Sequence, residues 1–528
     1  MATEKLVYFL SILENVPKRG FWDYAIVEDL FKNLESVEVN KLPDVDFGVV
    51  VVPARGHAGH EDKINKEINK IKKVILFLMG DEEGDFDTNK IKHPDISIWV
   101  QNPIPGRHDE FMRIGTGYAP KIKECVELPN KSLDFFFAGQ VTHSRREECV
   151  KYLRDLKGGE LVETKGFTQG LEPSEYFRKL SMAKIAPCPS GPKTPDSFRL
   201  FEALELGCIP IADTQTPSED WDGFWEWLFM EDVPFVQIKN WESMPGYIND
   251  LKKEYPRLNN RIQAWWFRYK QTLRNKLYKQ IGLSHGDVTV VIPISPIPSH
   301  PNIHILEQTL ASVRHHLPEC EIILTFDGVR EEQEDRRKDY EEHIRRILWK
   351  VRGLDVRPYI FDEHLHQVGM ARKIIDEIKT PLLLYVEQDT PLVTDEIIEW
   401  EKLKKFILDG VSNLIRFHFE ARIPDEHKHL MIGEPENSLL KTVQWSQRPH
   451  LASTAFYKRI LSEHFSPNAK CFIEDLIHGK VMNDWNLYGV HGWNQWRLHI
   501  YYPDGNIKRS ANLDGREGAR KYDDTQIW

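Results

Sequence analysis

The sequence predicts an α/β protein of two modules, the first built from two Rossmann-like halves and the second from one mixed sheet flanked by helices. The chain has 528 residues, more than one ordinary core accommodates. Apolar runs typical of buried parallel strands alternate with segments whose apolar residues recur at helical spacing. A long amphipathic stretch at 262–281 ends at a glycine, and a new apolar run begins after Asp287.

Domain boundaries follow from these patterns. The first module is predicted to span 1–285, with halves of about 1–128 and 129–285, and the second to span 286–528. The predicted strands of the first module are 5–10, 47–52, 74–79, 96–100, 133–138, 184–188 and 208–211. Helices are predicted at 24–34, around Ile64, Ile68 and Ile71, at 174–182, at 198–206 and at 262–281.

The stretch 195–211, PDSFRLFEALELGCIPI, combines a helix start, two charged residues one turn apart and a short buried strand. Ser197 is placed to cap the helix, and Gly207 permits a left-handed exit. Arg199 and Glu202 would suit a nucleotide, with the arginine on the diphosphate and the glutamate on ribose hydroxyls. The alternative from spacing alone is a surface ion pair three residues apart.

Two arginines follow a strand and a glycine turn in FAGQVTHSRR, at 137–146. At the start of a helix, backbone N–H groups and a guanidinium can reach a phosphate together. Arg145 and Arg146 are therefore predicted to bind a donor diphosphate, with ordinary surface charge on the helix as the alternative.

Two loops of the first half follow strand ends, where open α/β sheets place ligands. In the loop 54–60, His57 could act as a general base on an acceptor hydroxyl, and the alternative is a flexible loop with surface histidines. The acidic turn 80–87 could offer a carboxylate base instead, or be merely solvated. The aromatic segment 221–229 is predicted to fill the core rather than to stack on sugars.

The second module carries acidic groups at two strand ends. Asp327 follows the strand 321–326, a position from which a carboxylate can bond a base or ribose. Glu387 and Asp389 follow the apolar strand 381–386. Two carboxylates at the exit of a central strand can hold a divalent cation, Mn²⁺ or Mg²⁺, against a diphosphate. His491 or His499 would complete that metal site, unless both are packed or surface histidines.

The run SFRLFEALELGCIPI resembles the signature of exostosin-like (family 47) glycosyltransferases of GT-B fold, whose R-x-x-E-A-L-x-x-G-C-I-P-V pattern marks the donor site. Ser197, Arg199 and Glu202 would then lie on the donor side, with Arg145 or Arg146 in the similar F-x-G-x(n)-R element. The family implies inversion and no cofactor in this module.

The order of a VVIP strand, FDG, Q-x-G-x-x-x-A-R and E-x-D over 287–392 resembles family 2-like GT-A glycosyltransferases. That resemblance matches Asp327 to the nucleoside-binding aspartate, Arg372 to the donor-side arginine and Asp389 to the last metal ligand. Glu387 departs from the usual D-x-D. The segment FIEDL at 472–476 resembles the E-D motif, so Asp475, or Glu474 as the second choice, is predicted to be the base. The alternative is an acidic helix N-terminus favoured by the dipole.

Composition excludes several classes of protein. The net charge of -11 gives no electrostatic footprint for nucleic acid, and no window is apolar enough for an integral membrane segment. Six scattered cysteines without a C-x-x-C pair indicate reduced thiols, so a cytoplasmic location is expected.

These predictions combine into a bifunctional glycosyltransferase that moves sugars from nucleotide-sugar donors to a glycan or glycolipid acceptor, as in polysaccharide synthesis. The alternative is one catalytic module with a second module that binds or positions the glycan.

Overall fold

A computed structural model describes residues 6–16, 24–166, 170–283, 286–353, 355–503 and 505–513. The chain divides into two compact units, Met1–Leu283 and Ser284–Trp528. No helix within the described ranges is long and apolar enough to cross a membrane.

The first sheet of unit 1 is parallel throughout, in the order β2-β1-β3-β4-β5-β6. Its elements are β1 Leu6–Leu10, α1 Ala25–Leu30, β2 Glu35–Val39, β3 Val45–Pro53, α2 Glu61–Ile68, β4 Ile71–Met79, β5 Ile96–Gln101 and β6 Met112–Ile114. The edge strand β2 was not predicted, because ESVEV is largely solvent-exposed and has no apolar run. Ile71 begins β4 instead of ending a helix, so its helical assignment was wrong.

The second sheet of unit 1 is also parallel, in the order β11-β10-β9-β7-β8. Its elements are β7 Leu133–Gln140, α3 Ser144–Leu153, β8 Glu160–Thr164, α4 Pro173–Ser181, β9 Ala183–Cys188, α5 Phe198–Glu205, β10 Ile209–Asp213, α6 Phe224–Phe229, β11 Val236–Ile238, α7 Met244–Leu251 and α8 Arg257–Ile281. The left-handed exit after α5 is at Gly207, with φ of 63°.

The long helix α8 joins the two halves of unit 1. Near its end, the Gln280 side chain accepts a hydrogen bond of 3.0 Å from the Trp99 indole in β5. Near its start, the Gln263 amide donates 2.7 Å to the Leu204 carbonyl in α5. The helix therefore contacts both halves of unit 1. In the aromatic segment, Trp225 is fully buried and donates to the Asp213 carbonyl, as core packing requires.

Unit 2 contains one mixed sheet of nine strands, in the order β14-β13-β12-β15-β19-β16-β20-β18-β17. Strands β12, β13, β14 and β15 run parallel, and β19 lies antiparallel between β15 and β16. The strands are β12 Val288–Ile294, β13 Glu321–Phe326, β14 Val356–Ile360, β15 Leu382–Tyr385, β16 Leu414–Arg416, β17 Met431–Glu436, β18 Leu439–Thr442, β19 His450–Ser453 and β20 Leu498–Tyr501. The helices are α9 His304–His316, α10 Arg337–Val351, α11 His366–Ile374, α12 Trp400–Leu408, α13 Thr454–His464, α14 Ile473–Tyr488 and α15 Val490–Trp496.

Two parallel Rossmann-like sheets and one mixed sheet confirm the predicted α/β fold class. The break between the compact units lies two residues before the predicted boundary at 285. Several predicted site residues, among them Arg146, Asp327 and Glu387, follow the carboxyl ends of parallel strands or begin the next helix, which is where open α/β sheets place ligands.

Candidate functional site

In unit 1 the candidate site lies where β7 ends and α5 begins. The Arg199 guanidinium crosses over β7, with Cζ 4.5 Å from the centre of the Phe137 ring and Nη2 donating 2.9 Å to the Ala138 carbonyl. A Cβ on residue 139 would lie 2.3 Å from Nη2, so any side chain there would displace the guanidinium from this position. Phe137 and Gly139 of the F-x-G element thus form the seat of Arg199.

Arg146 lies next to this seat, at the start of α3. Its Nη1 donates 3.1 Å to the Gln140 carbonyl, and burial together with the nearby Arg199 charge lowers the pKa of Arg146 to about 10. The Nε atoms of both arginines are buried without a hydrogen-bond partner. Two neighbouring cations with unused donors form a site that an anion would satisfy.

Unpartnered hydroxyls extend this site. Ser197 occupies the N-cap position of α5, but its side chain makes no capping bond, so the capping prediction was wrong. The Oγ atoms of Ser197 and Ser190 are both buried without a partner. Burial, followed by the charge of Arg146, lowers the pKa of the adjacent His143 to about 4, which keeps its imidazole neutral at pH 7.

Glu202 is buried on α5 and accepts a hydrogen bond of 2.7 Å from the Tyr176 hydroxyl. Burial raises the pKa of the Glu202 carboxyl, and Tyr176 and Arg199 oppose that shift. Of the ion pairs between described residues, none joins Arg199 to Glu202, so the surface-pair interpretation was wrong.

Arg145 is engaged elsewhere, in the interior of unit 1. Its Nε and Nη2 lie 3.1 and 2.6 Å from the Asp213 carboxylate, its Nη1 lies 2.8 Å from Glu148, and Nη2 also donates to the Lys239 carbonyl. Every guanidinium nitrogen of Arg145 is used, whereas Arg146 Nε is buried without a partner.

His57 is also fully engaged. Its Nδ1 donates 2.9 Å to the Pro53 carbonyl, and its Nε2 accepts 3.2 Å from the Ile12 backbone N–H. The ring is buried, and burial lowers its pKa. His57 therefore shapes its loop and has no free nitrogen for an acceptor hydroxyl, which corrects both the catalytic assignment and the surface-loop alternative.

In unit 2, one glutamine brings the strand-end acids and the E-D motif together. The Gln367 amide, at the start of α11, donates 3.0 Å to Glu387 Oε1 and accepts 2.8 Å from the Ile473 N–H at the start of α14. It also contacts Gln447, whose backbone N–H donates 3.1 Å to Glu474 Oε2. Glu387 and Glu474 therefore belong to one hydrogen-bonded network.

The two acids of the E-D motif have different positions. Glu474 is half-buried and faces the network through Gln447. Asp475 is exposed, and its Oδ2 accepts 3.2 Å from the Phe472 N–H at the start of α14. The second choice, Glu474, is therefore the acid that the fold directs towards Glu387.

Glu387 and Asp389 are half-buried on the same turn after β15. Burial is the main cause that raises the pKa of Glu387 to about 7, and the neighbouring Asp389 charge adds to the shift. Whereas unit 1 places two cations side by side, this pair places two carboxylates side by side, and carboxylate oxygens are ligands that suit a hard divalent cation. Within the described residues no third histidine, cysteine or acid joins them. Mg²⁺ sites often take one or two carboxylates and complete their shell with substrate phosphates, so the pair fits the expected cation.

The remaining predicted ligands of unit 2 lie apart from this pair. His491 is exposed on α15, and His499 is buried with Nδ1 2.9 Å from the Ser412 hydroxyl, as the packed-or-surface alternative predicted. Arg372 donates to the carbonyls of Leu461 and Phe465 at the end of α13.

Both oxygens of the Asp327 carboxylate already accept hydrogen bonds from neighbouring groups. It accepts from the backbone N–H groups of Gly328, Leu365 and His366 at 2.7–3.1 Å and lies 2.7 Å from His364 Nδ1. It holds the turn 364–366 at the start of α11. Gln367 comes directly after that turn.

Sequence reasoning missed Gln367, Gln447 and Ser190. The first lies in the recognised Q-x-G-x-x-x-A-R element and carried a usable signal, because it begins a helix after a strand. Gln447 lies in a loop whose partners are distant in sequence, so no local pattern marks it. Ser190 lies in the Pro/Gly-rich loop 189–196, whose composition predicts a loop next to the donor but not an unpartnered hydroxyl.

Comparisons with known proteins bear on unit 1. The model of the RXYLT1 C-terminal domain, a xylosyltransferase family, matches residues 137–284, from β7 to the end of α8. The match supports a glycosyltransferase, and it confirms neither the exostosin-type module nor its fusion to a GT-A module. No curated protein sequence matches the chain.

Solved structures of S. aureus TarS show a distant likeness. TarS 1-349 is 13% identical with a TM-score of 0.29, and the match covers 43% of this chain and 60% of that one. TarS 1-349 in complex with UDP-GlcNAc is 12% identical with a TM-score of 0.27, covering 43% and 58%. At these scores the likeness carries no argument about the sites.

We predict that Asp213→Ala destabilises unit 1 strongly. Removing the buried partner leaves Arg145, itself buried, with only the more exposed Glu148, and breaking a buried ion pair costs about 3–5 kcal/mol. Urea unfolding measures the loss. The control Glu148→Gln removes the more exposed partner of Arg145 and should cost under about 1 kcal/mol. Equal losses for the two variants would contradict the assignment of Arg145 to the interior.

Proposed function

We propose that the chain is a bifunctional glycosyltransferase, with a GT-B-type nucleotide-sugar site in unit 1 and a GT-A-type site in unit 2. The observation that carries the proposal is the pair Arg146 and Arg199, whose unused donors converge at the carboxyl end of a parallel sheet. The family match over 137–284 contains both arginines.

In unit 1 the departing group is a nucleoside diphosphate, and the two guanidiniums stabilise the charge that it gains. The unpartnered hydroxyls of Ser190 and Ser197 supply further hydrogen bonds to its phosphate oxygens. Glu202, oriented by Tyr176, accepts from ribose hydroxyls. No metal is needed in this site, because fixed cations already provide the positive charge.

In unit 2, Glu387 and Asp389 would hold a divalent cation. When bound, that cation neutralises the leaving diphosphate. Glu474 takes the proton of the acceptor hydroxyl, and the Gln367–Gln447 network orients both acids. Direct attack on the anomeric carbon from the side opposite the diphosphate inverts the configuration in each site.

A second candidate function retains transfer in unit 1 only and makes unit 2 a glycan-binding module. The observation in its favour is that Asp327, Arg372 and His491, three of the expected donor or metal ligands of unit 2, are engaged or placed elsewhere. The two functions differ in the role of Asp389. It holds a cation needed for transfer in the first, whereas in the second unit 2 transfers no sugar.

Transfer assays with a panel of nucleotide sugars that includes nucleotide-linked xylose and UDP-GlcNAc should separate the two functions. Arg199→Ala should lower the rate of the transfer that unit 1 carries out about 10²-fold or more, because a charge-assisted contact to the leaving group is lost. Asp389→Ala should abolish a different transfer. Rates are measured by product formation with glycan acceptors.

The control is Arg154→Ala, which removes an exposed arginine paired with Glu163 on the surface and should leave both transfers unchanged. If Asp389→Ala alters only acceptor affinity, unit 2 is a binding module. If the wild type responds to no nucleotide sugar, by transfer, donor hydrolysis or thermal shift, the proposal is wrong.

Cation binding by unit 2 should depend on pH. The raised pKa of Glu387 means that the folded protein favours its protonated form between the ordinary glutamate pKa and about 7, so ionisation in that window costs stability. Mn²⁺ favours the ionised form, and it should raise the thermal midpoint of the wild type more at pH 8 than at pH 6. The variant Asp389→Asn should lose most of that shift, and an undiminished shift would exclude these carboxylates as ligands.

A further inference from the structure

The acidic turn 80–87 of unit 1 is held in a single conformation by its own side chains and by one arginine. The Asp81 carboxylate accepts 2.9 and 3.0 Å from the backbone N–H groups of Asp85 and Phe86. The Arg107 guanidinium donates to the carbonyls of Gly84, at 2.5 Å, and of Phe86. The turn therefore presents Glu82 from a fixed backbone at the carboxyl end of β4.

A chain of hydrogen bonds connects the acidic turn to the start of α5. The Gly80 N–H donates 2.9 Å to Gln101 Oε1, the Gln101 amide donates 2.7 Å to the Thr116 carbonyl, and the Thr116 N–H donates 2.9 Å to Asp196 Oδ2, one residue before Ser197.

The charges that act on Glu82 come from Arg55 after β3, from Arg146 at the start of α3 and from the adjacent Glu83, and it acts in turn on Asp196 before α5. Glu82 thus lies within electrostatic reach of Arg146, one of the two arginines of the candidate site. Burial raises the pKa of its carboxyl, and Arg55 and Arg146 oppose that shift.

The Glu82 carboxylate is half-buried, and among the described residues no ion pair or hydrogen bond engages it. The neighbouring groups differ from it. Asp81 caps its own turn, and His57 is bonded at both nitrogens. Asp196 is buried rather than accessible; its Oδ2 accepts 2.9 Å from the Thr116 N–H, and its Oδ1 is buried without a partner. An accessible, unpaired carboxylate held rigidly within electrostatic reach of a cationic leaving-group site has the properties that a general base requires.

We propose that Glu82 is the general base of the transfer in unit 1, an inference that rests on the proposed function. The acceptor hydroxyl oxygen forms a bond to the anomeric carbon while its proton passes to the Glu82 carboxylate. The bond from the anomeric carbon to the diphosphate oxygen breaks, and its electron pair leaves with the diphosphate, beside Arg146 and Arg199. The protonated Glu82 then releases its proton to water.

The test compares Glu82→Gln with the matched control Glu83→Gln, one residue along the same turn. Glu82→Gln should lower kcat for transfer by unit 1 about 10²–10⁴-fold, the range of a lost general base. Donor KM and the thermal shift produced by the nucleoside diphosphate should stay within about twofold, because the arginine pair is intact. Glu83→Gln should keep wild-type kcat.

Two further measurements separate catalysis from structure. The wild-type kcat should fall on acidification around a midpoint above the ordinary glutamate pKa, and the residual activity of Glu82→Gln should lack that limb. In Glu82→Ala, added formate should restore part of the lost rate, since it replaces the missing carboxylate. Glu82→Asp, which keeps the charge and also tests the case in which glutamine disturbs the turn, should retain more activity than Glu82→Gln.

The outcomes distinguish the two proposals. Transfer by Glu82→Gln at the wild-type rate, or an unchanged acid limb in that variant, overturns the assignment of Glu82 and leaves the glycosyltransferase proposal standing. Failure of the wild type to transfer from any nucleotide sugar through unit 1 overturns both.

Discussion

The structure of unit 1 depends on holding two arginines of like charge close together in a largely buried place. Burial is the main cause that lowers the pKa of Arg146, and repulsion by the nearby Arg199 charge in a medium of reduced dielectric adds to it. The surroundings limit the cost. The Phe137 ring presents its face to Arg199, Gly139 withholds a side chain, and His143 stays neutral. An arrangement that tolerates unneutralised charge in the free protein is suited to a ligand that neutralises it.

Adjacent arginines in the sequence have opposite roles because a helix turns by about 100° from one residue to the next. At the start of α3 that rotation points Arg145 towards Asp213 in the core and Arg146 towards the mouth of the sheet. The motif FAGQVTHSRR predicted the position of the positive charge. It left open which arginine carries that role, since the partner Asp213 lies far along the chain at the end of β10.

The sequence was informative wherever the physics is local. Continuous apolar runs predicted the central parallel strands, and the glycine exits after α5 and α8 were predicted from their residue type. The strand β2 was missed because an exposed edge strand needs no apolar run. Site geometry was harder. The assignments of Ser197, His57 and Arg145 depended on which polar atoms the tertiary fold already satisfies, and that information is not local.

If both units transfer sugars as proposed, they meet the same electrostatic requirement with opposite charge patterns. A departing diphosphate needs positive charge, and unit 1 contains it in two guanidiniums fixed by the seat of Arg199 and the start of α3. Unit 2 presents Glu387 and Asp389 instead; burial, followed by the Asp389 charge, raises the pKa of Glu387. Carboxylates alone would repel a diphosphate, so under this proposal unit 2 would need an added cation to do what unit 1 does with its own side chains. Removal of divalent metal should then silence unit 2 and spare unit 1, which makes metal dependence the property that would assign each proposed transfer to its unit.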